Sequence, residues 1–253
     1  MFRKILKTST IIFPVILIGI ILLIAYNTYQ KTQDSTENPI IVIPTNAAVI
    51  LQLNDVCNLN RSLKLSEVWS KLRNIKQIEV ITKKCNQISD FFTANQAVFN
   101  SNSLFISFHR VSAKKGAHLF STSFKRGELN NKQIVNLFAN DITTSKYDNQ
   151  NIYFSKSLNI HFSFKNDILF YSNDRMLLTD AIRTSNENTN DLFVDPSFLD
   201  CYNTISRSAD INLMVNYNHL LELSGIFTKI KSKLTHFSEW AATDLRLKDN
   251  AIL

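Results

Sequence analysis

The chain has 253 residues with a formal net charge of +7; 45% of its residues are hydrophobic, 18 are Phe, and only 4 are Gly and 4 Pro. Four of its 28 basic residues, Arg3, Lys4, Lys7 and Lys31, lie near the N-terminus, which leaves 24 basic residues against 21 acidic ones. Because this remainder is nearly neutral and has no basic stripe with interleaved aromatic residues, the composition argues against nucleic-acid binding. The scarcity of glycine argues against loops that cradle phosphates.

The first element is an uncharged segment, residues 8–29, whose centre Ile11–Ala25 has no charged, amide or hydroxyl side chain. As a helix it would span about 33 Å, enough to cross a hydrocarbon core of about 30 Å. The sequence therefore predicts a transmembrane helix, with the lipid bilayer as partner of residues 8–29. The predicted membrane-anchor residues are Ile11, Ile12, Phe13, Val15, Ile16, Leu17, Ile18, Ile20, Ile21, Leu22, Leu23 and Ile24.

Basic residues orient this segment. Arg3, Lys4 and Lys7 precede it, whereas Lys31 is the first basic residue after it. The positive-inside rule then places residues 1–29 as a cytoplasmic tip and anchor in the cell (inner) membrane, with the bulk of the chain extracytoplasmic. A cleaved signal peptide is the alternative, but the exit of the segment at 23–27 lacks the small residues that cleavage requires, which favours a retained signal anchor.

After a polar linker at 30–39, residues 40–184 read as an α+β domain or first repeat. Ala47–Leu53 is predicted as a strand and the segment from Val56 as a helix, and another helix begins at Asn74. From Ser103 the hydrophobic period changes to two, which predicts a hairpin and further short strands. These strands are expected at Ser103–Val111, Ala117–Phe124, Ile152–Ser155, Leu158–Phe164 and Asp167–Ser172, with helices at Asn131–Asn140 and Asp174–Thr184.

Residues 192–253 read as a second α+β segment that stops early. A helix at Pro196–Ile205 precedes a strand at Asp210–Tyr217 and a long helix with apolar positions from Leu223 to Phe237. Trp240–Lys248 is predicted as a strand, and Asp249-Asn250 as the turn into a return strand of only three residues. A hairpin left half-built would expose a sheet edge, so we expect the chain to be a fragment or to lack its continuation.

Two stretches follow the same plan of strand, Asn-rich cap and amphipathic helix. They are AVILQLNDVCNL from Ala48 and INLMVNYNHLLEL from Ile211. This pattern predicts an incomplete internal duplication, although α+β proteins also offer such pairs by chance. The predicted fold is therefore α+β: a transmembrane helix, then a mainly antiparallel sheet with helices packed on one side.

The sequence nominates no catalytic residue, metal site or cofactor. No metalloprotease, phosphate-loop, dinucleotide or serine-hydrolase motif occurs among its residues. His109 and His118 could face each other across the first hairpin as two metal ligands, but no carboxylate or Cys lies near them, so an exposed sheet face is the favoured explanation. Asp167, Asp174 and Asp180 lie near strand ends, where turn and cap roles account for them. The chain is therefore predicted not to be an enzyme.

Cysteine, aromatic and basic residues leave further alternatives open. Cys57, Cys85 and Cys201 are interpreted as small buried hydrophobes rather than a disulfide with one thiol left over. Aromatic residues around the first hairpin indicate a core or, alternatively, an apolar ligand groove. These residues are Phe91, Phe92, Phe99, Phe105, Phe108, Phe120 and Phe124. Lys229, Lys231 and Lys233 indicate a solvated helix face or, alternatively, contact with an anionic membrane.

The chain resembles a set of bacterial single-pass envelope proteins of unknown function. The resemblance lies in the basic N-terminal anchor, the polar linker and Ile43-Pro44-x-Asn46-Ala47-Ala48 at the start of an apolar strand, and it covers about 43–72 and 210–253. Such proteins are typically longer and carry a repeated α+β unit in which a late Trp, here Trp240, precedes a strand hairpin. The resemblance implies no catalytic residues.

Three hypotheses for function follow from the sequence. The first is a membrane-tethered, non-catalytic extracytoplasmic module that binds or scaffolds another envelope protein. The second is an enzyme with an unrecognised active site, and the third is a fragment of a larger envelope protein. A cluster of perturbed carboxylates or histidines in a cleft would favour the enzyme, whereas an exposed apolar patch or groove without such a cluster would favour the binding module. The sequence does not define the oligomeric state.

Overall fold

The structure, a computed structural model, describes residues 38–65, 90, 93–95, 103–124, 133, 135, 141–187, 192–226, 238–248 and 251–252. In these residues the fold is α+β, and its centre is a nine-stranded antiparallel sheet. The strands are Ala47–Leu53 (β1), Leu104–Ser112 (β2), Lys115–Ser123 (β3), Ile142–Tyr147 (β4), Gln150–Ser155 (β5), Ile160–Lys165 (β6), Ile168–Ser172 (β7), Ile211–Asn216 (β8) and Trp240–Leu245 (β9). Their order in the sheet is β4-β5-β6-β7-β3-β2-β1-β8-β9.

Four helices and two short 3₁₀ helices accompany the sheet in the described residues. The helices are Val56–Leu65 (α1), Arg175–Asn186 (α2), Pro196–Thr204 (α3) and Tyr217–Ser224 (α4); the 3₁₀ helices are Pro39–Val42 and Leu192–Val194. Leu247–Lys248 (β10) and Ala251–Ile252 (β11) pair as a separate two-stranded ladder, which is the hairpin that Asp249-Asn250 predicted. The predicted strand Ala47–Leu53 is confirmed to the residue.

Strands from both halves of the chain meet near one edge of the sheet. β1 pairs with β2 on one side and with β8 on the other, and Leu51 lies opposite both Ile106 and Leu213. β9 then pairs with β8 and forms one edge of the sheet. The strand that begins at Ile211 therefore shares one sheet with the strand that begins at Ala47.

Asn and Asp make the tight turns in place of glycine. Asp148 and Asn149, between β4 and β5, have φ angles of 47° and 60°, and Asn166, between β6 and β7, has a φ of 52°. Such positive angles are tolerated by Asn and Asp better than by other non-glycine residues, and they match the twist of two-residue hairpin loops. The second turn was predicted at this place, but β4 was missed because five of its six residues are exposed and none gives an apolar alternation.

Both faces of the sheet are covered, so the prediction of helices on one side only is wrong. On one face, which we call the α2 face, α2 and the Pro39–Val42 helix pack with Ile50, Phe170 and Trp240 into the larger core. On the opposite α1 face, Val56 of α1 packs with Leu104 and Phe162. Helix α4 also lies on the α1 face, because a Cβ placed on Gly116 of β3 would meet Leu223 Cδ1 at 3.1 Å. The central strands carry apolar side chains that point to both faces of the sheet, so both faces have to be covered.

Candidate functional site

A serine, a histidine and an asparagine form a hydrogen-bonded chain at one end of β1 and β2. Ser107 and His109 are two residues apart in β2, so both side chains point to the α2 face. Nε2 of His109 lies 2.8 Å from Ser107 Oγ, and Nδ1 lies 2.8 Å from Oδ1 of Asn46, in the turn before β1. The amide oxygen of Asn46 can only accept, so Nδ1 donates to it and Nε2 accepts from the serine hydroxyl.

This connectivity is that of a nucleophile, a base and a residue that orients the base. Both Ser107 and His109, however, have no exposed surface. Burial, and secondarily the charge of His219, lowers the pKa of His109 to about 3, so the imidazole is neutral. In this conformation the serine cannot meet a substrate, and the chain of hydrogen bonds fixes the turn at Asn46 against the sheet.

The pairing of β2 with β3 shows where the two histidines that the sequence offered as metal ligands point. His109 lies opposite Ala117, and His118 lies opposite Phe108. The two histidines therefore point to opposite faces of the sheet, and the prediction that they could face each other is wrong. Among the described residues, no group of three or more His, Cys, Asp or Glu could hold a metal ion.

A second polar cluster crosses β1, β8 and β9 on the α2 face. Asn212, which is fully buried, accepts a hydrogen bond of 2.7 Å from Asn54 and donates one of 2.7 Å to Asp244. The carboxylate of Asp244 also accepts from the backbone N–H of Ser206. This cluster joins three strands and the loop before β8, and each of these groups has a partner, as a buried polar group requires.

Trp240 connects β9 to helix α3. Its indole Nε1–H donates to the carboxylate of Asp195 over 3.0 Å, and its ring packs edge-on against Phe198 at a centroid distance of 4.9 Å. The other carboxylate oxygen of Asp195 accepts from the N–H of Ser197 and caps α3. The tryptophan that the sequence singled out is thus a buried anchor between an edge strand and its covering helix.

Asp174 has the cap role that the sequence predicted. Its carboxylate accepts from the N–H groups of Met176 and Leu177 and forms an ion pair of 2.5 Å with Lys115. Burial opposes ionisation of Asp174, but the hydrogen bond from Lys115 and those from the two backbone groups outweigh it and lower its pKa. The turn role is also confirmed for Asp167, which lies in the β6–β7 turn. It is wrong for Asp180, which lies within α2 and pairs there with Arg183 at 3.0 Å.

The aromatic residues of the first hairpin do not form one groove. Phe105 is buried in the α2-face core, whereas Phe124 is buried in the core of the α1 face. Phe108 and Phe120 are half-buried beside His118, and Phe120 stacks on Tyr171 at 4.6 Å. These four described phenylalanines are therefore divided between the two faces. Phe91, Phe92 and Phe99 lie outside the described residues.

The cysteines that the structure describes are free thiols. Cys201 is buried and Cys57 is half-buried, and burial raises the pKa of Cys201. The reading as a small buried hydrophobe is confirmed for Cys201. Cys85, Lys229, Lys231 and Lys233 lie outside the described residues.

The predicted anchor also falls outside them: residues 8–29, with the topology residues Arg3, Lys4 and Lys7. In the part of the chain that is described, no helix is long and apolar enough to cross a membrane.

One edge of the sheet has open backbone groups on a partly apolar strand. In the β8–β9 ladder the N–H of Tyr217 donates to the carbonyl of Glu239, so the odd-numbered residues of β9 bond to β8. The N–H and C=O groups of Trp240, Ala242 and Asp244 therefore point away from β8. No other described strand pairs with this edge. The sequence reasoning did note the late strand after Trp240, but the open edge follows only from the pairing.

The chain matches no family model, and no curated protein or solved structure is significantly similar to it.

Proposed function

We propose that the chain is a membrane-tethered extracytoplasmic α+β module that binds another component of the cell envelope and does not catalyse a reaction. We infer the membrane tether from the uncharged segment 8–29, which has Arg3, Lys4 and Lys7 before it and Lys31 after it. The resemblance to single-pass envelope proteins agrees with it. The burial of Ser107 and His109 supports a binding role, because the one nucleophile-like arrangement among the described side chains is closed to substrate.

The tether is tested by fractionation and protease accessibility of the full-length chain. Alkaline carbonate should leave the chain in the membrane pellet, and protease added to spheroplasts should digest residues 30–253. Changing Arg3, Lys4 and Lys7 to Glu should reduce the protease-accessible fraction, whereas Lys31→Glu should leave it unchanged. Extraction by carbonate, or protection of residues 30–253 in intact spheroplasts, would contradict the proposal.

We further infer that the two stretches with the same plan are an incomplete internal duplication. Asn54 directly follows β1 and Asn216 is the last residue of β8; a helix follows each, and each strand has an antiparallel partner on its other side. Superposing Asn54 on Asn216 superposes Leu51 on Leu213, the central pair of the β1–β8 ladder. The two units are then related by an approximate twofold axis through that pair.

One observation favours a second function, a serine hydrolase with Ser107 as nucleophile. It is the chain of hydrogen bonds from Ser107 through His109 to Asn46. A fluorophosphonate probe, which labels activated serines, tests it directly. Labelling of the wild-type chain that is lost in Ser107→Ala would establish the hydrolase, and the absence of labelling would favour the binding module.

A further inference from the structure

The approximate twofold axis relates the β1–β2 pair to the β8–β9 pair in register as well as in order. Leu51 pairs with Ile106, and Leu213 pairs with Thr243. Phe105 and Ser107 of β2 thus correspond to Ala242 and Asp244 of β9. At these two positions β2 pairs with a further strand, β3: Phe105 lies opposite Ser121, and Ser107 lies opposite Leu119.

The β1–β2 and β8–β9 pairs also agree in which residues of the outer strand direct their backbone N–H and C=O groups away from the inner strand. The N–H of Phe124 donates to the carbonyl of Asp167 in β7's ladder with β3, so the odd-numbered residues of β3 bond to β2. Phe105 and Ser107 therefore direct their backbone groups to β3. Their counterparts Ala242 and Asp244 direct theirs to the open edge of β9, where the structure describes no strand.

We infer that the open edge of β9 is a strand-binding site that accepts an extended segment of another protein in the position that β3 occupies on β2. This inference rests on the proposed binding role and names its partner by chemistry. The segment is antiparallel to β9, with small or apolar side chains on the α2 face, as Leu119, Ser121 and Ser123 are in β3. Strand addition of this kind uses main-chain hydrogen bonds for affinity and alternate side chains for specificity.

The surface beside this edge suits an apolar segment. Helix α3 covers β9 on the α2 face through Phe198 and Asp195, which both contact Trp240. Their neighbours Leu199 and Val194 are exposed. Helix α3 and the 3₁₀ helix before it therefore leave two large apolar side chains in water.

The same helix argues against a second copy of this chain as the occupant. Two copies related by a twofold axis would place their β9 strands about 4.8 Å apart, each with an α3 above it on the same face. Packed helices need about 8–10 Å between their axes. A strand with no helix of its own above it fits this space. β3 itself is covered on this face by helix α2 and by the chain from Pro39, whose carbonyl accepts from Ser121.

The experiment uses the purified full-length chain in detergent and a fluorescent peptide of the β3 sequence, Ala117–Phe124, with lysines added outside it for solubility. Saturable binding is expected. N-methylation at Leu119 and Ser121, whose N–H groups bond to β2 in the fold, should weaken binding about tenfold or more. N-methylation at Phe120 and Thr122, whose N–H groups point the other way, should leave it within about twofold.

Two proline variants of the protein form the matched pair. Ala242→Pro removes an N–H that points to the open edge and leaves the β8 ladder intact, and proline is tolerated at such positions of edge strands. Thr144→Pro does the same at the other edge of the sheet, because Tyr147 and Gln150 flank a two-residue turn and place the N–H of Thr144 outward. Peptide binding should weaken about tenfold or more in the first variant and stay unchanged in the second.

Four results would overturn the inference. They are the lack of saturable binding below about 1 mM peptide, equal effects of the two N-methylation patterns, a loss of binding in Thr144→Pro but not in Ala242→Pro, and sedimentation of the wild type as a dimer that Ala242→Pro converts to a monomer. If Ala242→Pro does not fold, the two N-methylated peptides still decide the question with the wild-type protein. Failure here would leave the membrane tether standing, since carbonate extraction and protease accessibility test it separately.

Discussion

The His109→Gln substitution should reduce the amount of stability that the folded chain loses in mild acid. In the folded chain the pKa of His109 is about 3, because the buried imidazole cannot readily take up a charge, whereas an unfolded histidine has its ordinary value of 6.5. Below pH 6.5 the unfolded chain therefore binds a proton that the folded chain does not. The contribution of the buried, neutral His109 to the free energy of unfolding is therefore fully present above pH 6.5 and is lost as the pH falls towards about 3.

The magnitude follows from these two pKa values. Between pH 7 and pH 5 the unfolded state gains about 2 kcal/mol relative to the folded state, and about 3 kcal/mol by pH 4. His109 has no exposed surface, so solvent screening does not reduce this difference. Asp174, whose lowered pKa also links stability to pH, acts below its ordinary value of 3.8 and contributes little in this window.

The assay is urea unfolding followed by tryptophan fluorescence at pH 7, 6 and 5. The fall in unfolding free energy from pH 7 to pH 5 should be about 2 kcal/mol smaller in His109→Gln than in the wild type. Ser107→Ala is the control: it loses one hydrogen bond, at a cost of about 1 kcal/mol at every pH, and keeps the buried imidazole and therefore the slope. If His109→Gln showed the same fall as the wild type, burial of His109 would not be the cause and the reasoning would be refuted.

Three further substitutions test the contacts around the sheet, each by urea unfolding at pH 7. Asp174→Ala should cost about 1–2 kcal/mol because it removes the cap of α2, whereas Asp174→Asn, which keeps a capping oxygen, should cost less than half of that. Trp240→Phe should cost about 1 kcal/mol through the lost hydrogen bond to Asp195; a cost near zero would show that this bond is not formed. Asn212→Leu should cost about 3 kcal/mol or more, since it removes the buried hydrogen bonds that Asn212 makes with the amide of Asn54 and the carboxylate of Asp244, and the exposed control Asn203→Leu should stay within about 0.5 kcal/mol. Equal costs for the two asparagine variants would contradict the buried network.

The central strands could be predicted from sequence because their alternation is dictated by burial. Ala47–Leu53 and the hairpin of β2 and β3 have apolar residues at the spacing that two covered faces require. Strand β4 could not be found in this way. Its residues are mostly polar and exposed, and its pairing with β5 is fixed by the turn at Asp148 and Asn149 rather than by a hydrophobic pattern.

The candidate site was less predictable, because its residues are brought together by pairing over long distances in the chain. Ser107 and His109 could have been placed on one face from their spacing of two. Nothing local indicates Asn46, which lies 63 positions before His109. The expected pairing of His109 with His118 failed for a related reason: the hairpin turns at Ala113 and Lys114, and a shift of one residue in register moves every side chain to the other face.

Register also bears on the inferred duplication. Hydrogen-bonded and non-hydrogen-bonded pairs alternate along an antiparallel ladder, so two units match in hydrogen-bond phase only when the superposition shifts the chain by an even number of residues. Here superposing Asn54 on Asn216 also brings the outward backbone groups of Ala242 and Asp244 onto those of Phe105 and Ser107. One unit has its outer strand in place, and the other directs the same set of backbone groups to an edge where the described residues place no strand. The asymmetry between β2 and β9 is therefore where a binding function for this domain is best sought.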